Sequence, residues 1–158
     1  MLRDKTPQQH ELEMVAIDHL VPQDHLVRLV DLAIDFEFIR DEVAHLYCKN
    51  NGRPAVDPVR FFKYLFLGYL FGIQSERRLI KEVQVNVAYR WFLGLGLTDD
   101  VIHHSTLSQS RVKRFKDSNI YQSIFDNIVR QAMKQGLIGG HSLFADSTHL
   151  KANANKRR

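Results

Sequence analysis

Apolar residues recur along this chain at three- and four-residue spacings, with polar and glycine-containing clusters between the runs. That periodicity marks amphipathic helices. Residues 1–21 hold no sustained period and read as an irregular arm. Asp24 then offers an N-cap, followed by Leu26, Leu29, Val30 and Ala33 on one helical face. Asp35 can open a second helix with Ile39, Val43, Leu46 and Tyr47 inward. The run Asn50-Asn51-Gly52-Arg53-Pro54 ends it, because Gly permits positive φ and Pro cannot continue a helix.

Asp57-Pro58 is a strong start signal, a capping carboxylate followed by Pro at the first helical position. Residues 59–71 are apolar almost all round, which predicts the central buried helix. After a turn at Gly72-Ile73-Gln74, Ser75 caps one helix with Leu79, Ile80, Val83, Val87 and Trp91 inward, broken at Gly94-Leu95-Gly96. Residues 98–104 read as a polar loop. Ser105 is the candidate cap of a short helix with Leu107, Val112 and Phe115 inward. Residues 119–135 carry a stripe of Ile120, Ile124, Ile128, Val129 and Met133, ended by Gly136 and Gly139-Gly140. Only residues 142–146 read as a strand. The expectation is a mainly α chain in three parts: an arm (1–21), a six-helix domain (22–138), and the start of a second domain (139–158).

Composition narrows the class. Apolar residues make up 44% and charged residues 25%, a balance that supports a globular core rather than a disordered chain. Cys48 is the single cysteine, which excludes an internal disulfide and suits a reducing cytoplasm. Residues 1–10 have no signal-peptide core, and the apolar run 61–71 is too short, and too interrupted by Lys63 and Gly68, to span a bilayer. No Gly-rich phosphate loop supports an ATP-dependent activity. Charge is uneven: residues 1–59 hold 6 Lys+Arg against 11 Asp+Glu, net −5. Residues 60–158 hold 16 against 7, net +9, and the two give the overall +4. A basic C-terminal two-thirds suits a polyanionic partner.

Candidate chemistry concentrates at Asp146. The run Leu143-Phe144-Ala145-Asp146-Ser147-Thr148 delivers a carboxylate at the end of an apolar strand, as a metal-dependent nuclease core requires. Metal-assisted DNA strand transfer uses one ion to activate a hydroxyl and a second to stabilise the leaving oxygen, and Mg²⁺ favours carboxylate ligands. His103-His104 with Asp99-Asp100 makes a poor metal site, since adjacent histidines rarely face one ion. Ser147 has no recognisable His base.

The segment Asp146-Ser147-Thr148-His149-Leu150-Lys151-Ala152-Asn153-Ala154-Asn155-Lys156 closely resembles the first catalytic block of the IS1182-like branch of the IS5-related bacterial transposases. Further blocks resemble the same family in order: Asp24-His25-Leu26-Val27-Arg28, Gly52-Arg53-Pro54-Ala55-Val56-Asp57-Pro58, Ser75-Glu76-Arg77-Arg78-Leu79, Tyr89-Arg90-Trp91-Phe92-Leu93-Gly94 and His104-Ser105-Thr106-Leu107-Ser108. One departure is visible. The family has Pro-Asp before His-Ser-Thr, where this chain has Ile102-His103, so a looser loop is expected there.

The resemblance implies an Asp-Asp-Glu enzyme on a ribonuclease-H-like fold, using Mg²⁺ or Mn²⁺. Asp146 would be its first catalytic acid and metal ligand, and the strand before it the first of that domain. It also implies that the helical part binds and assembles on the terminal inverted repeats of an insertion sequence, as duplex DNA in the cytoplasm, at the nucleoid. Residues 105–116 are short, basic and follow a loop after another helix, a layout resembling a helix-turn-helix reader. Gln109 has the chemistry to reach adenine and Arg111 guanine. Arg77, Arg78, Lys113, Arg114 and Lys116 would contact phosphates. The alternative for these residues is a solvated basic face. The chain alone is expected to bind DNA without cutting it, holding one acid of three and no tightly bound metal. Two other readings compete: a regulatory fragment that pairs with itself or with full-length transposase, and one half of an enzyme made in two pieces.

Overall fold

The computed structural model describes residues 13–47, 55–116 and 119–137. Among these it contains eight α-helices, one 3-10 turn and no strand. The expected strand at 142–146 lies outside the described residues, as do Cys48 and the 50–54 break. Two more helices are present than the six expected. One lies inside the expected arm, and the other arises because a single expected helix is two.

The arm ends in helix α1 (Ile17–Leu20), followed by the buried Val21. Asp18 holds it there. Its Oδ1 accepts from Trp91 Nε1 at 2.8 Å and from Arg28 Nη2 at 3.0 Å, and the Arg28 guanidinium lies 4.4 Å from the Trp91 ring centroid. The bond from Trp91 and then that from Arg28 hold the Asp18 carboxyl below the usual carboxylate range. These partners lie 73 and 10 residues away, so local periodicity carries no trace of them.

Helix α2 (Leu26–Ala33) is capped by His25, whose Nδ1 accepts from Val27 N at 3.2 Å, and not by Asp24. It buries Val27 and Val30, while Leu26, Leu29 and Leu32 are exposed. Of the expected inward face, Val30 is buried and Ala33 partly buried, while Leu26 and Leu29 point outward. The segment has apolar residues on two faces, and tertiary packing chose the Val27–Val30–Ile34 set. Asp35 opens the following turn through Oδ1 to Glu37 N at 2.9 Å, but helix α3 (Phe38–Val43) starts later, with no side-chain cap bond. Ile39 and Val43 are fully buried, and Leu46 and Tyr47 are half-buried around the 3-10 turn Ala44–Leu46.

Helix α4 (Pro58–Leu70) starts as its signal requires: Asp57 Oδ2 accepts from Arg60 N at 2.9 Å, with Pro58 at the first position. It buries Phe61, Phe62, Tyr64 and Leu67. Lys63 crosses this apolar surface by laying its stem along it and ending on a partner. Its Nζ sits 4.6 Å from the Phe92 ring centroid and reaches Asp31 Oδ1 at 2.7 Å. The helix ends at Gly72, φ +64°, with Ile73 N bonded to Gly68 O at 2.7 Å and Gly72 N to Tyr69 O at 3.2 Å. This paired closure needs a left-handed residue. A side chain at Gly68 would meet Ile73 O at 3.3 Å.

The expected helix from Ser75 is divided into α5 (Glu76–Val85) and α6 (Val87–Phe92) by Asn86 alone. Asn86 is extended. Its N–H closes α5 onto Glu82 O at 2.8 Å, and its Oδ1 caps α6 at Tyr89 N, 3.1 Å. Asn competes with the helical backbone through its own amide, which is why it favours such junctions. The inward face changes accordingly: Ala88, Tyr89 and Phe92 are buried, with Val87 and Trp91 half-buried. Helices α7 (His104–Arg114) and α8 (Ile120–Lys134) complete the body, α5 packing on both α6 and α7 and α3 on both α4 and α8. In α8, Ile120 and Ile124 are buried as expected, but Met133 is half-exposed and Ala132 takes the inner position.

Arg90 is the one buried charged residue among the described residues, 5% exposed. Its guanidinium donates to Gly96 O from Nε at 2.9 Å and from Nη2 at 2.6 Å, and again to Asp99 O. Asp99 Oδ2 in turn accepts from Gly96 N at 2.8 Å. The connection that delivers α7 is thus folded around one side chain. Truncation leaves those carbonyls without their charged donor, so Arg90→Ala should lower unfolding stability by about 2–4 kcal/mol in a urea titration. A loss under about 0.5 kcal/mol would contradict this role.

Tyr121 gives the opposite case. Its hydroxyl is buried without a hydrogen-bond partner, and burial pushes the phenol up to about 12. The neutral phenol is favoured in the fold, so this contribution is complete below pH ~10, the unfolded value, and is lost as pH rises to about 12. Tyr121→Phe should fold at least as stably as wild type at pH 7 and lose less stability between pH ~10 and ~12. Thermal unfolding across that range checks it. A clear destabilisation at pH 7 would mean that the hydroxyl is satisfied.

Candidate nucleic-acid interface

Helix α7 is the most basic surface helix of the body, with Arg111, Lys113 and Arg114 in its last turn. Its cap is His103 and not Ser105: His103 Nδ1 accepts from Ser105 N at 3.3 Å and lies 2.7 Å from Ser105 Oγ. An imidazole nitrogen thus serves as the acceptor that defines the start of this helix. Leu107 and Phe115 are fully buried and anchor the helix at both ends. Val112, expected inward, is 59% exposed. At 100° per residue it lies about 140° round the helix from Leu107, which places it on the outer face.

The connection from α6 to α7 spans residues 93–103, longer than the three- or four-residue turn of a compact helix-turn-helix. Support for α7 comes instead from α5, against which it packs. Glu76, in the first turn of α5, binds Arg111 across this contact, Oε1 to Nη1 at 3.2 Å. A shallow groove of about 620 Å³ follows the seam, lined by Ser75, Arg77, His104, Ser108, Gln109 and Arg111. A second, of about 520 Å³, runs along the other side of α7, lined by Leu46, Gln109, Ser110, Lys113 and Arg114.

The two grooves collect most of the site residues expected from sequence. Arg77, Gln109 and Arg111 share the first; Gln109, Lys113 and Arg114 share the second. Arg114 is held with its guanidinium carbon 4.2 Å from the Tyr47 ring centroid, a stacking that leaves its N–H edge free to donate. Lys116 is exposed just beyond the helix. Arg78 belongs to neither groove and lies 3.6 Å from Glu82 on its own helix. Asp146 lies outside the described residues. Among the described residues no group of three or more His, Cys, Asp or Glu side chains is arranged to hold a metal ion.

Two neighbours of these side chains were not legible in the sequence. Glu76 carries no local sign of a partner, yet it orients Arg111 of α7. His104 lines the first groove with Arg77; burial first, then the nearby His103 and Arg77, keep its imidazole below the usual histidine range. Local pattern gives no sign that the first turn of α5 meets α7 along the stretch from His104 to Arg111.

Residues 15–113 match the family described as Transposase domain (DUF772), a span from the arm through all of α1–α6 and all but the last residue of α7. No curated protein and no solved structure gives a significant match. The family match covers more than half of the chain, and the chain therefore belongs to this transposase domain family.

Proposed function

We propose that the helical body binds duplex DNA for a transposase of the IS1182-like, IS5-related group, at the terminal inverted repeats of its element, in the nucleoid. The observation that carries this reading is the outer face of α7, where Gln109, Arg111, Lys113 and Arg114 stand between two open grooves while Leu107 and Phe115 fix the helix from below. A helix presented in this way can enter a major groove, with α5 as its supporting helix in a helix-turn-helix-like role. Gln109 and Arg111 are assigned to base edges. Arg77, Lys113, Arg114 and Lys116 are assigned to phosphates, with Arg78 at the margin. No helix among the described residues is long and apolar enough to cross a membrane.

Binding to repeat duplexes should weaken steeply with salt. Lys113→Ala and Arg114→Ala should each reduce the log–log salt slope by about one unit and weaken repeat and scrambled duplexes alike. Arg111→Ala should instead cost roughly 1–3 kcal/mol on the repeat and little on the scrambled duplex. Salt-titrated fluorescence anisotropy separates the two classes. Salt-independent binding, or none, would remove the DNA reading.

Asp146 is assigned as the first acid of the Asp-Asp-Glu set, with Mg²⁺ or Mn²⁺ as the metal of the complete enzyme. A two-metal in-line displacement depends on each carboxylate that holds the ions. Asp146→Asn should therefore abolish metal-dependent nicking of repeat DNA by the protein that carries the Asp-Asp-Glu set, while leaving DNA binding unchanged. Nicking that survives Asp146→Asn would overturn this assignment.

A further inference from the structure

Helix α8 has two apolar strips. Ile120, Ile124 and Ala132 are buried against the body, and Gln131 fastens this side by bonding both Asp35 N, at 2.8 Å, and Asp35 O, at 3.1 Å. The second strip, Phe125, Val129 and Met133, recurs every four residues and is continued past the helix end by Leu137. Phe125 is 60% exposed, Met133 50% and Leu137 53%. Beside it runs a polar row, Gln122, Asp126, Arg130 and Lys134, all exposed, with its acid toward the N-terminus and its bases toward the C-terminus. Asp126 is bonded only along its own helix, by Gln122 Nε2 at 2.7 Å, and Arg130 and Lys134 make no ion pair among the described residues.

We propose that this strip is a homodimer interface in which α8 pairs antiparallel with α8 of a second copy, about a two-fold axis near Val129. The pattern is complementary to its own reverse. With Val129 on the axis, Phe125 of one copy faces Met133 of the other, a sulfur–aromatic contact. In an antiparallel pair the same flank of each helix meets, so Asp126 falls between Arg130 and Lys134 of the second copy. The reversed order of charges makes both ends of the pair attractive. A two-fold interface must be self-complementary in this sense. The strip covers about three helical turns, less than the roughly 800 Å² per partner of a standard interface, so association in the micromolar range is expected. This inference does not rest on the DNA-binding reading.

Sedimentation equilibrium of the full chain between about 1 and about 100 µM tests it. Wild type should show a monomer–dimer equilibrium. Phe125→Asp and Met133→Glu should each weaken it at least tenfold. Melting temperatures measured well below the dissociation constant should stay unchanged. Asp126→Lys should also weaken the dimer, and the triple variant Asp126→Lys, Arg130→Glu, Lys134→Glu should restore it by reversing the row. A wild type that stays monomeric throughout, or a dimer indifferent to Phe125→Asp and Met133→Glu, would overturn the proposal. So would a triple variant no tighter than Asp126→Lys. A drop in the dilute melting temperature on Phe125→Asp would also overturn it, since the strip would then be covered by its own chain.

Discussion

Phe115 against helix α4 is the contact on which the candidate interface depends. Its ring centroid lies 5.2 Å from that of Phe61 and 5.3 Å from that of Phe62, and Tyr121 closes the cluster at 6.1 Å. Phe115 sits at the C-cap of α7, and Tyr121 is the second residue of α8. One aromatic cluster therefore fixes the end of the basic helix and the start of the next on the central helix. Burial of a single phenyl ring contributes about 1.5–3 kcal/mol, and tilted or edge-on ring pairs add about 0.5–1.5 kcal/mol. Leu107 performs the same service at the other end. A helix held at both ends by fully buried side chains can carry an outer face of cations without losing its position to their mutual repulsion.

The other constraint is polar. Arg90, Lys63 and Arg60 all come from helices and end on backbone carbonyls at the end of α6 or just after it: Arg90 on Gly96 and Asp99, Lys63 on Phe92, Arg60 on Leu93 and Gly94. The C-terminal carbonyls of a helix are left without intrahelical partners, and cations near them are favoured by the helix dipole as well. Three cationic side chains thus finish α6 and shape the 93–103 connection. This explains how a connection of that length can still deliver α7 at a defined place on α5.

What could be read from the sequence divides along the same line. Several signals that act within a few residues survived intact. Asp57-Pro58 starts α4, Ser75 caps α5, and the glycines at 72 and 94 end helices with φ of +64° and +65°. Other local signals gave way to a neighbour, and those that depend on a distant partner left no trace. Asp24 and Ser105 are better caps than histidine by residue type, yet His25 and His103 take those places. Asn86 reads as an ordinary helix-interior residue, yet its amide caps α6. Leu26, Leu29, Val30 and Ala33 form a plausible inner face, and only packing shows that Val27 goes inside with Val30 while Leu26 and Leu29 stay out. In the site, the basic composition of α7 was visible, but its partner was not, because the Arg111–Glu76 bond joins residues 35 apart.

That bond also sets how the charges of α7 divide their roles. A half-exposed Arg paired with a carboxylate in a solvated groove contributes only about 0–1 kcal/mol to folding, so its value lies in geometry. Glu76 fixes the direction of the Arg111 guanidinium and offsets part of its charge, which lowers its attraction to any phosphate. Lys113 has no carboxylate partner among the described residues, and Arg114 is oriented by an aromatic ring that leaves its charge uncompensated. In a DNA complex, counterion release scales with uncompensated cations, whereas base discrimination needs a guanidinium already aimed. In the proposed DNA complex the last turn of α7 would then separate the two demands by partner: Lys113 and Arg114 would supply affinity, and Arg111, held by a neighbouring helix, specificity.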